Sequence, residues 1–307
     1  MKLATYRPAD GGDQRLGALV DGDLLDLAAA SGGNLPASMR ALLEAGPAAW
    51  DEVRRCLERP AAAHRVPLTA VRLRAPLPDP AALRDFFAFE DHARAGAKRR
   101  SEELPAEWFE VPAYYKGNHR EVYGPDDEIP WPSYTRKLDF ECEIAAVVGL
   151  RGRDLSPEEA GRHIFGYMLF NDFSARDIQK KEMVLRMGPA KGKDFANAFG
   201  PWLVTADEVD PAADFEMTVR VNGEVWSRGR FGAQHWGFPL MLSHVSQGET
   251  VYPGDVLGSG TFHKGCGLDL DRWIKPGDVV ELDVPKLGVL KNACGEPKAR
   301  KELNYKR

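Results

Sequence analysis

The sequence predicts an α+β fold that is mostly β, with a small N-terminal α+β domain (residues 1–75) and a larger, strand-rich domain (residues 76–307). Three observations support this prediction. A hairpin pattern and two helical patterns share the N-terminal part, a proline-rich linker follows, and the rest of the chain carries many short strand patterns but few helices. The three prolines within residues 75–80 block regular structure, so we place the domain boundary there.

The N-terminal domain begins with a predicted β-hairpin. Residues 16–20 and 23–27 are apolar strand patterns, and Asp21-Gly22 between them is typical of a two-residue hairpin turn. Apolar residues at helical spacing then predict two helices, near residues 38–43 and 48–57.

Turns and strands dominate the larger domain. Pro-Gly-Asp turns at residues 253–255 and 276–278 each precede an apolar strand. Helices are few. Ser156 opens a capping box before one helix, and Ser174 is predicted to cap a second helix over residues 177–185.

The composition argues against several classes of function. Of the 307 residues, 43% are hydrophobic and 28% are charged, and the formal net charge is -5, which offers no electrostatic footprint for nucleic acid. The basic cluster at residues 98–100 is short and predicts a solvated helix face or a gate for an anionic substrate. No apolar stretch is long enough to span a bilayer, and the four cysteines lack CxxC spacing. We therefore expect a cytoplasmic protein that acts on a small molecule, with no nucleic-acid and no membrane partner.

The most informative segment is residues 138–144, where acidic and apolar side chains alternate. As a β-strand, it puts Asp139, Glu141 and Glu143 on one face, because strand side chains alternate with a period of two. The apolar residues that follow direct the strand into a core, where carboxylates repel one another and resist desolvation. A bound divalent cation resolves this conflict, and oxygen ligands alone suit Mg²⁺, Mn²⁺ or Ca²⁺. The alternative is a solvated strand face.

Two further acids and a histidine favour the metal site. Asp172 follows a strand-like run at residues 166–170, although a cap or turn former would occupy the same position. Asp85 lies among aromatic and small residues, where solvation alone explains a carboxylate poorly. His92 follows seven residues later, so a helix-like path would place it two turns away on the same side, as a base for a water molecule. A purely structural histidine is the alternative.

Residues 188–195 form a lysine loop flanked by glycines. Glycine allows the backbone to approach a ligand closely, and Lys193 is placed to neutralise an oxyanion or a carbanion. The spacing of a Walker A loop is absent. A surface loop with two solvated lysines is the alternative.

Four motifs, in order along residues 85–294, resemble the fumarylacetoacetate hydrolase family. They are Asp-Phe-Glu-Cys-Glu from residue 139, Asn-Asp-Phe-Ser-Ala-Arg-Asp-Ile-Gln from 171, Gly-Pro-Ala-Lys-Gly-Lys-Asp-Phe from 188 and Pro-Gly-Asp-Val-Leu-Gly-Ser-Gly-Thr from 253. The resemblance implies a catalytic domain that is a mixed, barrel-like β-roll, and it implies a homodimer. It also implies a bound Mg²⁺, with Mn²⁺ or Ca²⁺ as alternatives, held by four carboxylates, those of Asp85, Glu141, Glu143 and Asp172.

The same resemblance implies catalytic and substrate-binding roles. It makes His92 the base that activates water, and Asp269 falls where fumarylacetoacetases carry the glutamate that orients this histidine. Lys193 is implied to stabilise the departing carbon fragment. The implied substrate-binding residues are Tyr115, Arg176, Gln179, Lys193 and Thr261.

The chain departs from the fumarylacetoacetases at three positions. Asp269 is one methylene shorter than the family's glutamate, Asn197 replaces a threonine, and Met183 replaces a tyrosine that touches the substrate. The N-terminal region is also shorter than in the eukaryotic enzymes. These changes leave the metal site intact and leave the identity of the substrate open.

The residues and the resemblance together predict a metal-dependent hydrolase that cleaves a C–C bond of a 1,3-diketo acid, such as fumarylacetoacetate or an acylpyruvate. An isomerase, decarboxylase or hydratase of a related keto acid would use the same metal site. A non-catalytic metal-binding scaffold is the third alternative, but the sequence retains both the base and the ligands. The charged, helical segment at residues 89–112 is predicted to form a lid.

Overall fold

The structure is a computed structural model that describes residues 1–209 and 214–299. Its strands are β1 (Lys2–Pro8), β2 (Arg15–Val20), β3 (Asp23–Asp26), β4 (Arg65–Pro67), β5 (Val71–Leu73), β6 (Ala82–Phe86), β7 (Tyr114–Gly117), β8 (Val122–Tyr123), β9 (Ile129–Trp131), β10 (Leu138–Asp139), β11 (Cys142–Val148), β12 (Gly152–Arg153), β13 (Ile164–Asp172), β14 (Ser174–Ala175), β15 (Asn197–Thr205), β16 (Glu216–Val221), β17 (Glu224–Arg230), β18 (Thr250–Val251), β19 (Asp255–Gly258), β20 (Val279–Val284) and β21 (Gly288–Pro297). Its α-helices are α1 (Leu27–Ala30), α2 (Met39–Ala45), α3 (Pro47–Glu58), α4 (Glu90–Arg99), α5 (Pro157–His163), α6 (Arg176–Val184), α7 (Phe238–Ser246) and α8 (Gly267–Leu270).

Two mixed sheets contain most of these strands, and two further pairs, β10 with β14 and β12 with β18, form small sheets of their own. The larger sheet runs β4-β3-β2-β1-β15-β13-β11-β19-β6-β7, with β5 paired to β1 and β8 paired to β15. The smaller sheet runs β17-β16-β20-β21-β9. The prediction of a mostly β, α+β fold of mixed sheets is confirmed, and the path of the larger sheet stays open between β4 and β7.

The first 75 residues contain the predicted hairpin, β2 and β3, and the two predicted helices, α2 and α3. They also share a sheet with the rest of the chain, because β1 pairs with β15 at Leu3 and Leu203. Both of these leucines are fully buried in one hydrophobic cluster. The domain boundary at residues 75–80 stays a prediction.

Fully buried strands form the centre of the larger sheet. Every residue of β11 and β13 is buried, as expected for strands with near-continuous apolar sequences. The antiparallel register of β11 and β13 pairs Glu143 with Phe170, and the parallel pair β19 and β6 sets Asp85 beside Gly258. The register of β11 and β13 also pairs Cys142 with Asn171. The acidic ends of these two strands therefore meet near the end of β6.

The prediction of one continuous strand over residues 138–144 is wrong. The ladder breaks between β10 and β11, and Glu141 makes only an isolated bridge to Cys266. Side chains satisfy the backbone at this break. The N–H of Phe140 bonds to the Asp139 carboxylate at 2.9 Å, and the N–H of Glu141 bonds to Asn171 Oδ1 at 3.0 Å.

Helix α5 begins with the predicted capping box, in which the Ser156 and Glu159 side chains bond each other's backbone N–H. The prediction that Ser174 caps a helix is wrong. Ser174 lies in β14, and its hydroxyl bonds to the Asp172 carbonyl at 3.1 Å. Helix α6 begins two residues later, and no side chain in the described part of the chain caps it.

The predicted helix-like path from Asp85 to His92 is also wrong. Asp85 lies on β6, the chain leaves that strand after Phe86, and His92 lies in the first turn of α4. Within the described ranges, no helix is long and apolar enough to cross a membrane.

Candidate active site

Four carboxylates converge at the end of the central strands. Asp85 lies on β6, Glu141 immediately before β11, Glu143 on β11 and Asp172 at the end of β13. All four residues are buried, and one oxygen from each lies within 4.8 Å of the others. The structure therefore brings together all four residues that the resemblance implies as metal ligands.

Two cationic side chains contact this carboxylate cluster. Lys193 Nζ lies 2.5 Å from Glu141 Oε2 and also bonds to the Asp172 carboxylate. Arg176 donates through its Nη2 to Glu141 Oε1 at 2.7 Å and through its Nη1 to Gln179 Oε1 at 2.9 Å. Four carboxyl groups thus face two cationic side chains. With all four ionised, the cluster would carry an excess of negative charge.

The pKa values of the cluster reflect this imbalance. Burial raises the pKa of Asp85 to about 6. Burial, together with the neighbouring carboxylates, raises the pKa values of Glu143 and Asp172 above their ordinary range, despite the contact of Asp172 with Lys193. Burial also acts on Glu141, but Arg176 and Lys193 outweigh it and lower that pKa to about 2. Protons therefore neutralise part of the negative charge that Lys193 and Arg176 leave uncompensated.

Two carboxylate oxygens of the cluster lack a hydrogen-bond partner among the described residues. They are Glu143 Oε1 and Asp172 Oδ1, and both are buried. The second oxygen of Glu143 accepts the Gly260 N–H at 2.9 Å, and that of Asp172 accepts the Tyr115 hydroxyl at 2.7 Å. Buried orphan oxygens in an all-carboxylate, net-negative cluster fit a hard divalent cation, which prefers oxygen ligands.

A histidine–carboxylate pair adjoins the cluster. His92 Nδ1 lies 2.7 Å from Asp269 Oδ2, so the shorter side chain at residue 269 reaches the histidine directly. Burial raises the pKa of Asp269, but the contacts with His92, the Lys264 N–H and Arg99 outweigh burial and hold that pKa below its ordinary value. An ionised Asp269 holds the proton on Nδ1, which leaves Nε2 as the free acceptor.

The residues implied in substrate binding lie in or beside this network. The Tyr115 hydroxyl bonds to Asp172, and Gln179 bonds to Arg176. Thr261 follows Gly260 in the loop after β19, and its hydroxyl bonds to the Cys142 carbonyl at 3.2 Å.

Two positions at which the chain departs from the fumarylacetoacetases lie in different surroundings. Asn197 is buried, and its amide donates to the carbonyls of Asn118 and Glu121 at 2.9 and 3.2 Å. It therefore fixes the loop after β7. Met183 is 50% exposed on α6.

Sequence reasoning missed the role of Asp139, which it treated only as one acid of the strand. Asp139 is fully buried and accepts four hydrogen bonds, from the N–H groups of Phe140, Gly267 and Leu268 and from Arg176 Nε. This carboxylate joins the start of α8, which carries Asp269, to the arginine that contacts Glu141. The alternation of residues 138–144 showed the acid but not its partners.

The chain resembles known proteins over most of its length. A family model described as the fumarylacetoacetate hydrolase C-terminal domain matches residues 82–294. Oxaloacetate tautomerase YisK of Bacillus subtilis is 30% identical over 74% of this chain and 74% of its own length. A 2,4-didehydro-3-deoxy-L-rhamnonate hydrolase of a Sphingomonas species is 35% identical over 56% of this chain and 61% of its own length. The structure of a fumarylacetoacetate hydrolase from Exiguobacterium antarcticum superposes with a TM-score of 0.76 at 29% identity, covering 96% of this chain and 99% of that one.

Proposed function

The chain belongs to the fumarylacetoacetate hydrolase family of enzymes, and we propose that it is a metal-dependent hydrolase that cleaves a C–C bond of a 1,3-diketo acid, of the acylpyruvate or fumarylacetoacetate type. The observation that carries this proposal is the His92–Asp269 pair, with its 2.7 Å contact, beside four buried carboxylates. Cleavage by water needs a base, and a neutral imidazole held by a carboxylate is suited to that task.

Asp85, Glu141, Glu143 and Asp172 would hold the cation, which we propose to be Mg²⁺, with Mn²⁺ or Ca²⁺ as alternatives. When bound, this ion would act as a Lewis acid, stabilise negative charge on the keto oxygens and orient the diketo acid.

The protein's own residues would move the protons. Asp269 keeps the His92 ring oriented through Nδ1, and Nε2 accepts a proton from a water molecule. The resulting hydroxide adds to a carbonyl carbon of the substrate. The C–C bond between that carbon and the carbon separating the two carbonyl groups then breaks, and the proton is returned to the departing carbon.

Three side chains would stabilise charge on the substrate. Lys193 and Arg176 already face the carboxylate cluster, and Gln179 is held by Arg176. Their fixed positions let them stabilise the enolate of the departing fragment without reorganisation. Lys193 is buried, so its charge acts in surroundings of low polarity.

A second candidate function is keto–enol tautomerisation of oxaloacetate or a related 2-oxo acid. The similarity to an oxaloacetate tautomerase favours it. In that reaction His92 would move a proton between carbon and oxygen, and no C–C bond would break.

We also propose that the protein is a homodimer. Light scattering would test this by comparing the particle mass with the 34.0 kDa mass of one chain.

A substrate screen tests the proposed function. The protein is incubated with Mg²⁺ and, separately, acetylpyruvate, fumarylacetoacetate or oxaloacetate, and the products are identified by mass spectrometry and ultraviolet absorbance. Hydrolysis predicts two fragments whose masses sum to the mass of the diketo acid plus one water. Accelerated enol–keto conversion of oxaloacetate without fragments would contradict hydrolysis and support tautomerisation as the function. If none of the three compounds reacts in a metal-dependent manner, both candidate functions are contradicted.

A further inference from the structure

Arg99 holds the side of Asp269 that faces away from His92. Arg99 Nη1 donates to Asp269 Oδ1 at 2.7 Å, and His92 Nδ1 contacts Oδ2 at the same distance. The Asp269 side chain is fully buried, whereas that of Arg99 is 35% exposed. Among the described residues, only Arg99 makes a hydrogen bond to Oδ1. The Lys264 N–H bonds to Oδ2, the oxygen that also contacts His92.

Two of the three partners of Asp269 come from α4. His92 lies in the first turn of that helix and Arg99 at its last residue, seven positions later. Residues at this spacing lie on one face of a helix, about two turns apart. A single carboxylate from α8 therefore fixes both ends of α4, and it sets the rotation of that helix relative to the site.

The arginine has a specific consequence for the orientation of the carboxylate. Oδ2 is crowded, since His263 Nδ1 also lies 3.3 Å away without making a hydrogen bond. Without a partner on Oδ1, the Asp269 carboxylate can rotate about its own bond and exchange His92 for His263. The bond from Arg99 to Oδ1 opposes that rotation.

We propose that Arg99 is a positioning residue that orients Asp269 and, through it, the His92 base. The inference rests on the proposed function, because it takes His92 to be the base. It assigns a role to one member of the basic cluster at residues 98–100, which the sequence predicted to be a solvated face or a substrate gate.

The test compares Arg99→Ala and Arg99→Lys with Arg100→Ala. Arg100 is the neighbouring arginine, and its partner, Glu102, is exposed on the surface. With acetylpyruvate and oxaloacetate as probes and Mg²⁺ present, R99A should lower kcat about 10-fold, the scale of losing a group that orients a histidine, and leave KM within about 3-fold. R99K should recover part of kcat, and R100A should match the parent protein. A loss in R99A equal to that in R100A would overturn the proposal.

A double-mutant cycle with Asp269→Asn separates this inference from the proposed function. If Arg99 acts through Asp269, R99A should have little further effect on kcat in the D269N background. A full additional loss there would contradict the inference alone. Unchanged turnover in D269N would instead contradict the role of the pair in the proposed function.

A spectroscopic measurement keeps the test independent of any substrate. Nitrogen NMR of the His92 ring reports which ring nitrogen carries the proton and whether it is hydrogen-bonded. The parent protein and R100A should show a hydrogen-bonded Nδ1 proton, and R99A should show a mixture of ring states. The same signal in R99A as in R100A would overturn the proposal even if neither probe were turned over.

Discussion

The backbone N–H of Gly260 points at Glu143 Oε2 from 2.9 Å and at Asp85 Oδ1 from 3.2 Å. Gly260 has a φ of +74°, and a Cβ at this position would lie 2.4 Å from the carbonyl oxygen of Phe86. A side chain is therefore excluded twice, by the left-handed backbone and by the close approach of a neighbouring strand. Only glycine lets this N–H reach two carboxylates of the candidate metal site.

Gly260→Ala should weaken metal binding as well as stability. Left-handed strain alone costs about 1–2 kcal/mol, and relief of the clash must move the loop that supplies the N–H to Glu143 and Asp85. We expect at least about a 10-fold loss in Mg²⁺ affinity by calorimetry, the scale reported for partners that orient metal ligands. Gly248→Ala is the matched control, since Gly248 also has a positive φ of +67° but, apart from its chain neighbours, no heavy atom of the described residues within 4 Å of its Cβ position. Equal Mg²⁺ affinity in the two variants would contradict this prediction.

Mg²⁺ binding should strengthen as the pH rises from 5 to 8. The pKa of Asp85 is raised to about 6 by burial, and burial also raises those of Glu143 and Asp172, so protons compete with the cation for these acids as the pH falls. A cation must displace those protons, which makes binding weaker at low pH by about 10-fold per pH unit for each proton released. Calorimetry in buffers of different ionisation enthalpy measures the number released.

Glu143→Gln provides the control for this pH dependence. Glutamine keeps the shape of the side chain but cannot release a proton, so the variant should bind Mg²⁺ weakly and release fewer protons. Affinity that does not change with pH in the parent protein would show that the four carboxylates are not its ligands.

Asp139→Asn should slow turnover more than it weakens metal binding. An asparagine offers one acceptor oxygen, so its NH₂ group must face donors, either Phe140 N–H and Gly267 N–H or Leu268 N–H and Arg176 Nε. That conflict displaces the start of α8 and with it Asp269. We expect kcat to fall about 10-fold and Mg²⁺ affinity to change by less than about 3-fold.

The matched control for this variant is Asp255→Asn. Asp255 is also buried and bonds to Arg84 and to the Tyr252 N–H. It lies at the start of β19, whereas Asp85 of the carboxylate cluster pairs with Gly258 at the end of that strand. Both variants should lower the melting temperature. A loss of kcat in D139N no larger than that in D255N would mean that Asp139 acts only on stability.

The sequence predicted most of the carboxylate cluster because its chemistry is local. Glu141 and Glu143 are two residues apart beside an apolar run, and carboxylates near a core need a counter-charge. Asp85 and Asp172 were identified individually from their apolar or strand-end positions. Their meeting point depends on the register of β6, β11, β13 and β19, which no single segment specifies.

A break in a strand, the pairing of a short strand and a long-range ion pair were the features that the sequence could not predict. The break after Asp139 arises because the Asp139 and Asn171 side chains replace ladder hydrogen bonds, and strand periodicity contains no sign of this. Ser174 has the residue type of a helix cap, yet it pairs in β14. Arg99 lies in a run of basic residues typical of a solvated surface, and its bond to Asp269, 170 residues away, becomes visible only in the folded chain.

Substitution of His92 tests the central claim most directly. His92→Ala is compared with the control His163→Ala for turnover and for Mg²⁺ binding by calorimetry. His163 is a partly exposed histidine at the end of α5, and its ring bonds to the Glu159 carbonyl. Because the four carboxylates are untouched, H92A should bind Mg²⁺ within about 3-fold of the parent affinity. Its turnover of the substrate found in the screen should fall about 100- to 10,000-fold, the contribution of a positioned base, while H163A keeps full activity. Turnover in H92A equal to that in H163A would contradict the account.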